Sequence, residues 1–405
     1  MPRRLLILCD AFNKPLYVPR ITSLCKFLTR NGWDITILTE ELEDETFQVP
    51  NTTFLAMPYY FGNKWRKKLQ WLGDKLWYRK DRRLYRFAQQ LDLQIFDCIL
   101  CSSFNVFPLK AAAMIATQIN KPLMVDLRDI TEQWGGPSYM VSSLIRHGKI
   151  GQWLTELYIR KTNRQRNLIL QQAKAVTTIS QWHQTLLEQY NPHTHLIYNG
   201  YDPEVYSFQP IHTDDFIISY TGRIYDFQSR CPQLFLQAIA ELKAEKQLPI
   251  NQTKVIFHIE QPLIAPLQAL LEQYHIEDLC SVSGYIPRQE AIQLLQQSAI
   301  SLIFNEKTNA CTTHGIMTTK FFEALGCEKP ILCTPSKTDE LANTIQQTKA
   351  GLASSDINEI KQFILEKYHE WQQNGYTRQA IIQKEQFSRE KQAKQFEQLL
   401  IEVRG

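Results

Sequence analysis

Short apolar runs alternate with stretches of helical spacing along most of the chain, and the alternation stops once and restarts. Leu5 to Asp10, Asp34 to Thr39 and Thr52 to Pro58 read as three strands. A turn at Asn13-Lys14-Pro15 and a helix through Ser23 to Gly32 lie between the first two. Phe96–Ser103, Pro122–Asp129, Ala175–Ser180 and His195–Gly200 continue the strands, with a helix through Lys110 to Gln118. Such apolar runs, separated by helices, predict parallel strands buried on both faces. The pattern fades over Tyr201–Asp215, which has two prolines and few apolar residues. It resumes with strands at Phe216–Arg223, Lys254–Ile259, Ser281–Gly284 and Ala299–Glu306. Helices through Leu234–Leu242, Leu263–Tyr274 and Ala291–Gln297 alternate with them, the last opened by Pro287. A final helix runs from Phe387 to Val403, with Ser388 as its N-cap.

The prediction is therefore an α/β protein of two doubly wound, Rossmann-like domains facing each other across a cleft. The first spans 1–208, with 387–405 packing back on it; the second spans 209–386. A length of 405 residues agrees with two cores rather than one.

The stretch with most chemistry in it is Asn309–Pro335, which reads as loop, helix and strand. Met317, Phe321 and Leu325 follow at helical spacing, Gly326 ends the helix, and Ile331–Cys333 form a buried strand. A polar loop feeding a helix N-terminus attracts anions through free N–H groups and the helix dipole. Lys320 adds a positive charge in the first turn, and Glu323 lies one turn further on nearly the same face. A carboxylate there is placed to accept hydrogen bonds from ribose hydroxyls. An ordinary amphipathic helix with solvated Lys and Glu fits the same spacing.

Composition narrows the picture. The net charge of +4 does not by itself call for nucleic acid, and no apolar run approaches the length of a membrane span. The basic start MPRRLLILCDAF is interrupted by Asp10 and reads as a strand rather than a signal peptide. Nine scattered cysteines, among them Cys98 and Cys101 inside an apolar strand, fit buried thiols in a reducing compartment.

Five pieces, in this order, resemble the two-domain GT-B glycosyltransferases of the retaining family 4 type. They are YVPRITSLCKFLTRNGWDITILT, LIYNGYDPEVY, YTGRIY, TTKFFEALGCEKPIL and FSREKQAKQFEQLL. The resemblance implies sugar transfer from a nucleotide-sugar to a saccharide or polyprenyl-linked acceptor, with no cofactor beyond the nucleotide-sugar and no metal. It implies that Glu323 binds the ribose. It gives the diphosphate to Arg223 and Lys320, helped by Arg230 and the N–H groups near Thr318 and Thr319. Asp129, beside Arg128, is implied to orient the acceptor, and Arg128 is expected to pair with Asp126 or Asp129. The sequence departs from the family pattern where the first of two donor-helix glutamates falls on Gly315, next to His314, a candidate sugar contact. It also lacks the glycine-rich loop after the first strand. An epimerase of UDP-sugars on the same fold, or a nucleotide-sugar-binding module that has lost catalysis, are the alternatives.

Lys64–Arg86 carries ten Lys/Arg against two Asp. Trp65, Leu69, Leu72 and Leu76 share one helical face, with Trp71 and Trp77 beside it, and Lys67 and Lys68 join them as expected membrane contacts. Such a segment fits a helix lying on an anionic membrane; a helix packed on the sheet, or a nucleic-acid surface, fits the same composition. With a lipid-linked acceptor, the membrane is the preferred partner and nucleic acid is not expected. The expected location is cytoplasmic, peripheral at the cytoplasmic face.

Overall fold

The computed structural model describes residues 3–10, 20–40, 51–58, 73–74, 77–103, 106–134, 149–228, 230–305, 317–336 and 338–404, with 149–152 through their backbone alone. The chain divides into two compact units: Met1–Tyr198 with Arg389–Gly405, and Asn199–Ser388.

The first unit holds a seven-stranded sheet: β1 (Arg3–Cys9), β2 (Trp33–Glu40), β3 (Thr52–Met57), β4 (Cys98–Ser103), β5 (Leu123–Leu127), β6 (Ala175–Thr178) and β7 (Thr194–Leu196). Its order is β3-β2-β1-β4-β5-β6-β7 and every pairing between these strands is parallel. Side chains alternate between its two faces. Leu6, Leu8, Ile99, Cys101 and Val125 enter one core with α2 (Arg79–Ala88), α3 (Leu109–Ile119) and the end of α4 (Lys149–Gln172). Leu5, Ile7, Cys98, Leu100 and Met124 enter the other, with α1 (Arg20–Arg30) and the C-terminal helix Arg389–Arg404. That last helix is tied down by Glu397, which accepts from Asn31 Nδ2 at 2.6 Å, Trp33 Nε1 at 2.9 Å and Arg3 Nη1 at 3.2 Å. A short helix, α5 (Gln181–Leu187), completes the unit.

Trp65, Lys67, Lys68, Leu69, Leu72 and Leu76 lie outside the described residues. The later part of Lys64–Arg86 departs from the expected single helix. Tyr78 takes left-handed angles, with φ 52, so α2 begins afresh at Arg79. Asp81 and Leu84 are buried, and Leu84 packs in the core with Leu109 and Ile115. This part of the segment packs one side on the core, through Asp81, Leu84 and Ala88, while Trp77, Arg79, Arg82 and Arg86 are exposed.

The second unit holds β8 (Phe216–Thr221), β9 (Thr253–His258), β10 (Cys280–Ser283), β11 (Ile300–Ile303), β12 (Ile331–Cys333) and β13 (Gly351–Ala353), ordered β10-β9-β8-β11-β12-β13 and all parallel. Its helices are α6 (Gln233–Ala244), α7 (Ile264–Gln273), α8 (Arg288–Gln297), α9 (Thr319–Gly326), α10 (Glu340–Thr348) and α11 (Ile357–Asn374). The C-terminal helix of the first unit is thus α12. Phe216, Ile218, Phe257 and Leu302 of the sheet pack on Phe235 and Ile239 of α6 and on Ile364 and Trp371 of α11.

Residues 199–208, which the sequence gives to the first domain, pack within the second unit. A Cβ at Gly326 of α9 would lie 2.7 Å from the Tyr201 ring and 2.8 Å from Tyr206 Cβ, so the glycine makes room for both tyrosines. Tyr201 N also donates to Phe387 O at 3.1 Å.

One buried ion pair organises the first unit. Arg20 of α1 meets Asp126 of β5 through Nε at 3.2 Å and Nη2 at 3.0 Å. Burial raises the Asp126 carboxyl pKa, but the Arg20 charge, its hydrogen bonds and those from Ser102 and Thr177 outweigh burial and leave it below the usual range. Its stabilisation is complete above about pH 4, the unfolded value, and is lost as pH falls through the lower folded one. We expect Asp126→Ala to destabilise the unit by about 3–5 kcal/mol at neutral pH, because it strands a buried guanidinium. Denaturant unfolding checks this, and the variant's stability should vary less with pH below 4 than that of the wild type.

Candidate functional site

A parallel sheet opens to ligands beyond its strand ends where the strand order reverses. In the second unit that point lies between β8 and β11. A narrow pocket there is lined by Ser219 and Thr221 of β8, Ser301 and Leu302 of β11, Leu295 of α8, and Lys320 and Glu323 of α9.

The turn after β8 is held from several sides. Gly222 N donates to His258 O at 2.8 Å. Glu260, just past β9, accepts from Ile224 N at 2.9 Å and from Tyr225 N at 2.6 Å. The Arg223 carbonyl accepts from the Tyr220 hydroxyl at 2.8 Å and from Arg230 Nη1 at 2.6 Å. The bend requires φ 125 at Gly222 and φ 68 at Tyr225. A Cβ on Gly222 would also lie 2.9 Å from Lys320 Nζ. Glycine therefore serves both the left-handed backbone and the lysine lying across it.

Three cations gather around this turn. The exposed Arg223 guanidinium stacks 5.2 Å from the centre of the Tyr225 ring, and Arg230 lies 4.9 Å from the same ring. A hydrogen bond with Tyr285 is the main reason that the Arg223 pKa is raised. Lys320 Nζ stands 4.9 Å from the Tyr220 ring. Burial, and then the like charge of Arg230, pull its pKa down to about 7, against the opposing pull of Glu323 and Glu260.

The start of α9 adds donors. Thr318 has extended angles, φ −76 and ψ 152, and makes no side-chain cap bond. Its Oγ1 is buried with no hydrogen-bond partner among the described residues. Thr319 begins the helix. One turn on, Glu323 Oε1 accepts from the Tyr206 hydroxyl at 2.8 Å. Arg288 reaches the same hydroxyl. The structure therefore brings Arg223, Arg230, Thr318, Thr319, Lys320 and Glu323 together. Gly315 and His314 lie outside the described residues.

Asp129 and Arg128 belong to the first unit, at the end of β5. Arg128 pairs with Asp10, at the end of β1, and not with Asp126 or Asp129 as the sequence suggested. Asp126 is already taken by Arg20. Asp129 Oδ1 accepts from Gln133 Nε2 at 2.7 Å. Burial is the leading cause that raises its pKa to about 7, the Gln133 bond and Arg128 opposing it.

Sequence reasoning missed Glu260, Tyr206, Arg288 and Asp10 as members of these clusters. Glu260 and Asp10 were visible as carboxylates directly following apolar strands. Tyr206 and Arg288 carry no local signal. Among the described residues no group of His, Cys, Asp or Glu is arranged to hold a metal ion.

Two family models divide the chain between them. The model described as Glycosyltransferase Family 4 matches residues 20–205, and one described as Glycosyl transferase-like matches residues 235–398. Among curated proteins, none matches in sequence. Among solved structures, Anabaena Alr3699/HepE in complex with UDP and glucose is similar at TM-score 0.65 and 15% identity, covering 99% of this chain and 100% of that one. Sucrose-phosphate synthase from Thermosynechococcus elongatus is similar at TM-score 0.62 and 14% identity, covering 99% of both chains. The lipopolysaccharide outer core galactosyltransferase WaaB, in its apo form, is similar at TM-score 0.58 and 12% identity, covering 98% of this chain and 99% of that one. At such identities the likeness is one of fold, and the fold is GT-B.

The carboxylate of Glu260 holds two backbone amides of the turn that carries Arg223. A hydrogen bond to a charged group contributes about 1.5–3 kcal/mol, or roughly 10- to 100-fold in an opening equilibrium. We expect Glu260→Ala to speed hydrogen exchange at the Ile224 and Tyr225 amides by that factor and to leave the β8 amides nearly unchanged.

Proposed function

Because the chain belongs to the family 4 type of GT-B glycosyltransferases, we propose that it is a retaining transferase moving a sugar from a nucleotide-sugar to a saccharide or polyprenyl-linked acceptor. The observation that carries the donor assignment is the group of three cations, Arg223, Arg230 and Lys320, around the turn after β8, with the Glu323 carboxylate one helical turn beyond Lys320.

Cleavage of the bond from sugar C1 to the phosphate oxygen leaves negative charge on the diphosphate and positive charge on the ring. Groups fixed in advance where charge develops supply the largest share of such catalysis. Arg223, Arg230 and Lys320 meet the diphosphate, with Thr318 and the first amides of α9. Glu323, oriented by Tyr206, accepts from the ribose hydroxyls. In front-face retention the acceptor oxygen bonds to C1 on the side that the phosphate leaves, and its proton passes to the departing phosphate. Asp129 orients the acceptor hydroxyl. Arg128, committed to Asp10, shapes the end of β5 and does not touch substrate. With three side-chain cations in place, the diphosphate charge is met without a metal, and a chelator should leave turnover unchanged.

UDP-glucose is the first donor to try, since the similar Alr3699/HepE was solved with UDP-glucose. The acceptor is placed at the cytoplasmic face of a membrane. The support is the charge and tryptophan content of Lys64–Arg86 and the eight described cysteines, all free thiols. No helix among the described residues is long and apolar enough to cross a membrane.

Glu323→Ala and Lys320→Ala should each weaken donor binding or turnover by about tenfold or more. Calorimetry with UDP and UDP-sugars, then transfer assays, measure this. Wild-type values in both variants would overturn the assignment, and binding without transfer or hydrolysis would favour a lapsed binding module.

The pH response has a definite sign. Lys320 in the unliganded site titrates near 7, and only its charged form attracts the diphosphate. UDP affinity should therefore fall as pH rises from 6 to 9, by about tenfold over the titration. Lys320→Gln should show a smaller fall over the same range, because the phosphates themselves titrate equally in both proteins.

A further inference from the structure

In the first unit, α4 is fixed by its inner face. Arg166, 1% exposed, makes a bidentate pair with Glu132 at 2.8 and 2.7 Å. Thr155, Thr162, Ile169 and Leu170 are buried on the same side. With that side anchored, the opposite side of the helix is turned outward. At 100° per residue, positions 153, 157, 160, 164 and 168 fall on one stripe, with 154 and 161 beside it.

This outward face is apolar at its start and basic in its middle. Trp153 is 58% exposed, Leu154 44% and Leu157 42%. Arg160, Lys161 and Arg164 follow, all exposed. The helix has five basic residues and one acidic, Glu156, which sits at the edge of the face against Arg160 at 3.7 Å. Arg160 and Arg164 also line an open groove of about 450 Å³ with Asn163, Asn167 and Gln171. Guanidinium and amide donors around one groove suit phosphate oxygens. The chain passes beside this face at Tyr78, whose ring lies 5.4 Å from Lys161 Nζ. The next residue back, Trp77, is 55% exposed. Trp153 and Trp77 are the two most exposed large apolar side chains among the described residues.

We propose that the outer face of α4 is a docking surface for an anionic phospholipid bilayer, with Trp153, Leu154 and Leu157 entering the interface and Arg160, Lys161 and Arg164 meeting lipid phosphates. Two features favour a bilayer over a protein partner. Tryptophan and leucine beside arginine and lysine form the composition of interfacial helices, with the apolar part in the acyl boundary and the basic part at the headgroups. Basic charge attracts the anionic leaflet at short range and is screened by salt. The inference rests on the proposed membrane location of the acceptor, and it moves the contact to a helix that the basic segment at 64–86 did not include.

The test is sedimentation of the full chain with vesicles of phosphatidylcholine alone or mixed with phosphatidylglycerol, at low and high salt. Wild type should pellet with the anionic vesicles, less so as salt rises. A charge variant (Arg160→Gln, Lys161→Gln, Arg164→Gln) should lose about tenfold or more in partitioning. An apolar variant (Trp153→Ser, Leu157→Ser) should lose the binding that persists at high salt. Since all five side chains are exposed, melting temperatures should stay near wild type. Wild type left in the supernatant with anionic vesicles overturns the proposal, as does equal pelleting of both variants. A wild-type dimer that the apolar variant turns into a monomer, with no vesicle binding in either, also overturns it and makes the face a contact between copies. The readout needs no turnover, so failure of the proposed sugar transfer would leave it standing and would be seen separately in the donor assays.

Discussion

Burying a guanidinium and a carboxylate together costs several kcal/mol per ion unless nearly every donor and lone pair is used. Arg20 and Asp126 come close to that limit. Besides the two contacts between them, Arg20 donates to the carbonyls of Tyr198 at 2.7 Å and Ile197 at 2.9 Å. Asp126 accepts from Ser102 and Thr177, both at 2.8 Å. The guanidinium also lies 5.0 Å from the Phe396 ring. One ion pair therefore ties α1, β4, β5, β6, the segment after β7 and α12, elements from both ends of the chain. Removing a partner would leave more than a lost contact. It would leave a charge in a place that water does not reach.

The second unit gathers three cations, Arg223, Arg230 and Lys320, around the turn after β8. Glu260 is spent on backbone amides, and Glu323 takes the Tyr206 hydroxyl. Burial, and then Arg230, draw the Lys320 pKa down to about 7, against Glu323 and Glu260. Perturbed groups of this kind cluster at functional sites. The central charges of the first unit are a closed, buried pair, whereas three cations of the second meet at one turn. The same contrast separates Arg128, neutralised by Asp10, from Arg223, exposed on a turn and stacked on Tyr225.

Much of the fold was legible because each β-strand buried on both faces is a dense apolar run. Leu5–Leu8 and Ile331–Cys333 are such runs. The stretch after Cys333 was not legible in the same way. β13 has only three residues, none fully buried. α11 buries Ile360, Ile364, Tyr368 and Trp371 at helical spacing, a pattern present in the sequence but not used. The break at Tyr78 left no mark in composition, since left-handed angles at a tyrosine come from tertiary context. Lys320 and Glu323 were legible because both lie on one helix. The Tyr206 hydroxyl bond to Glu323 joins residues 117 positions apart, and no local spacing encodes it. Arg128 was given the wrong partner because Asp126 and Asp129 are close in sequence, whereas Asp10 is close in space at the neighbouring strand ends.

Asp126 and Asp129 show why spacing along the chain cannot assign roles to carboxylates. They stand three residues apart at the end of one strand, and their environments push them in opposite directions. Asp126 is held ionised by a paired arginine and two hydroxyls. Asp129 is buried with one amide donor, its pKa raised to about 7. Near neutral pH the first is ionised, while the second lies close to its raised pKa. A paired charge lowers one carboxyl pKa and burial raises the other. The difference is built within a few residues of chain: the strand carries the charge that holds the sheet together, and the loop just beyond it carries a carboxyl whose pKa burial raises.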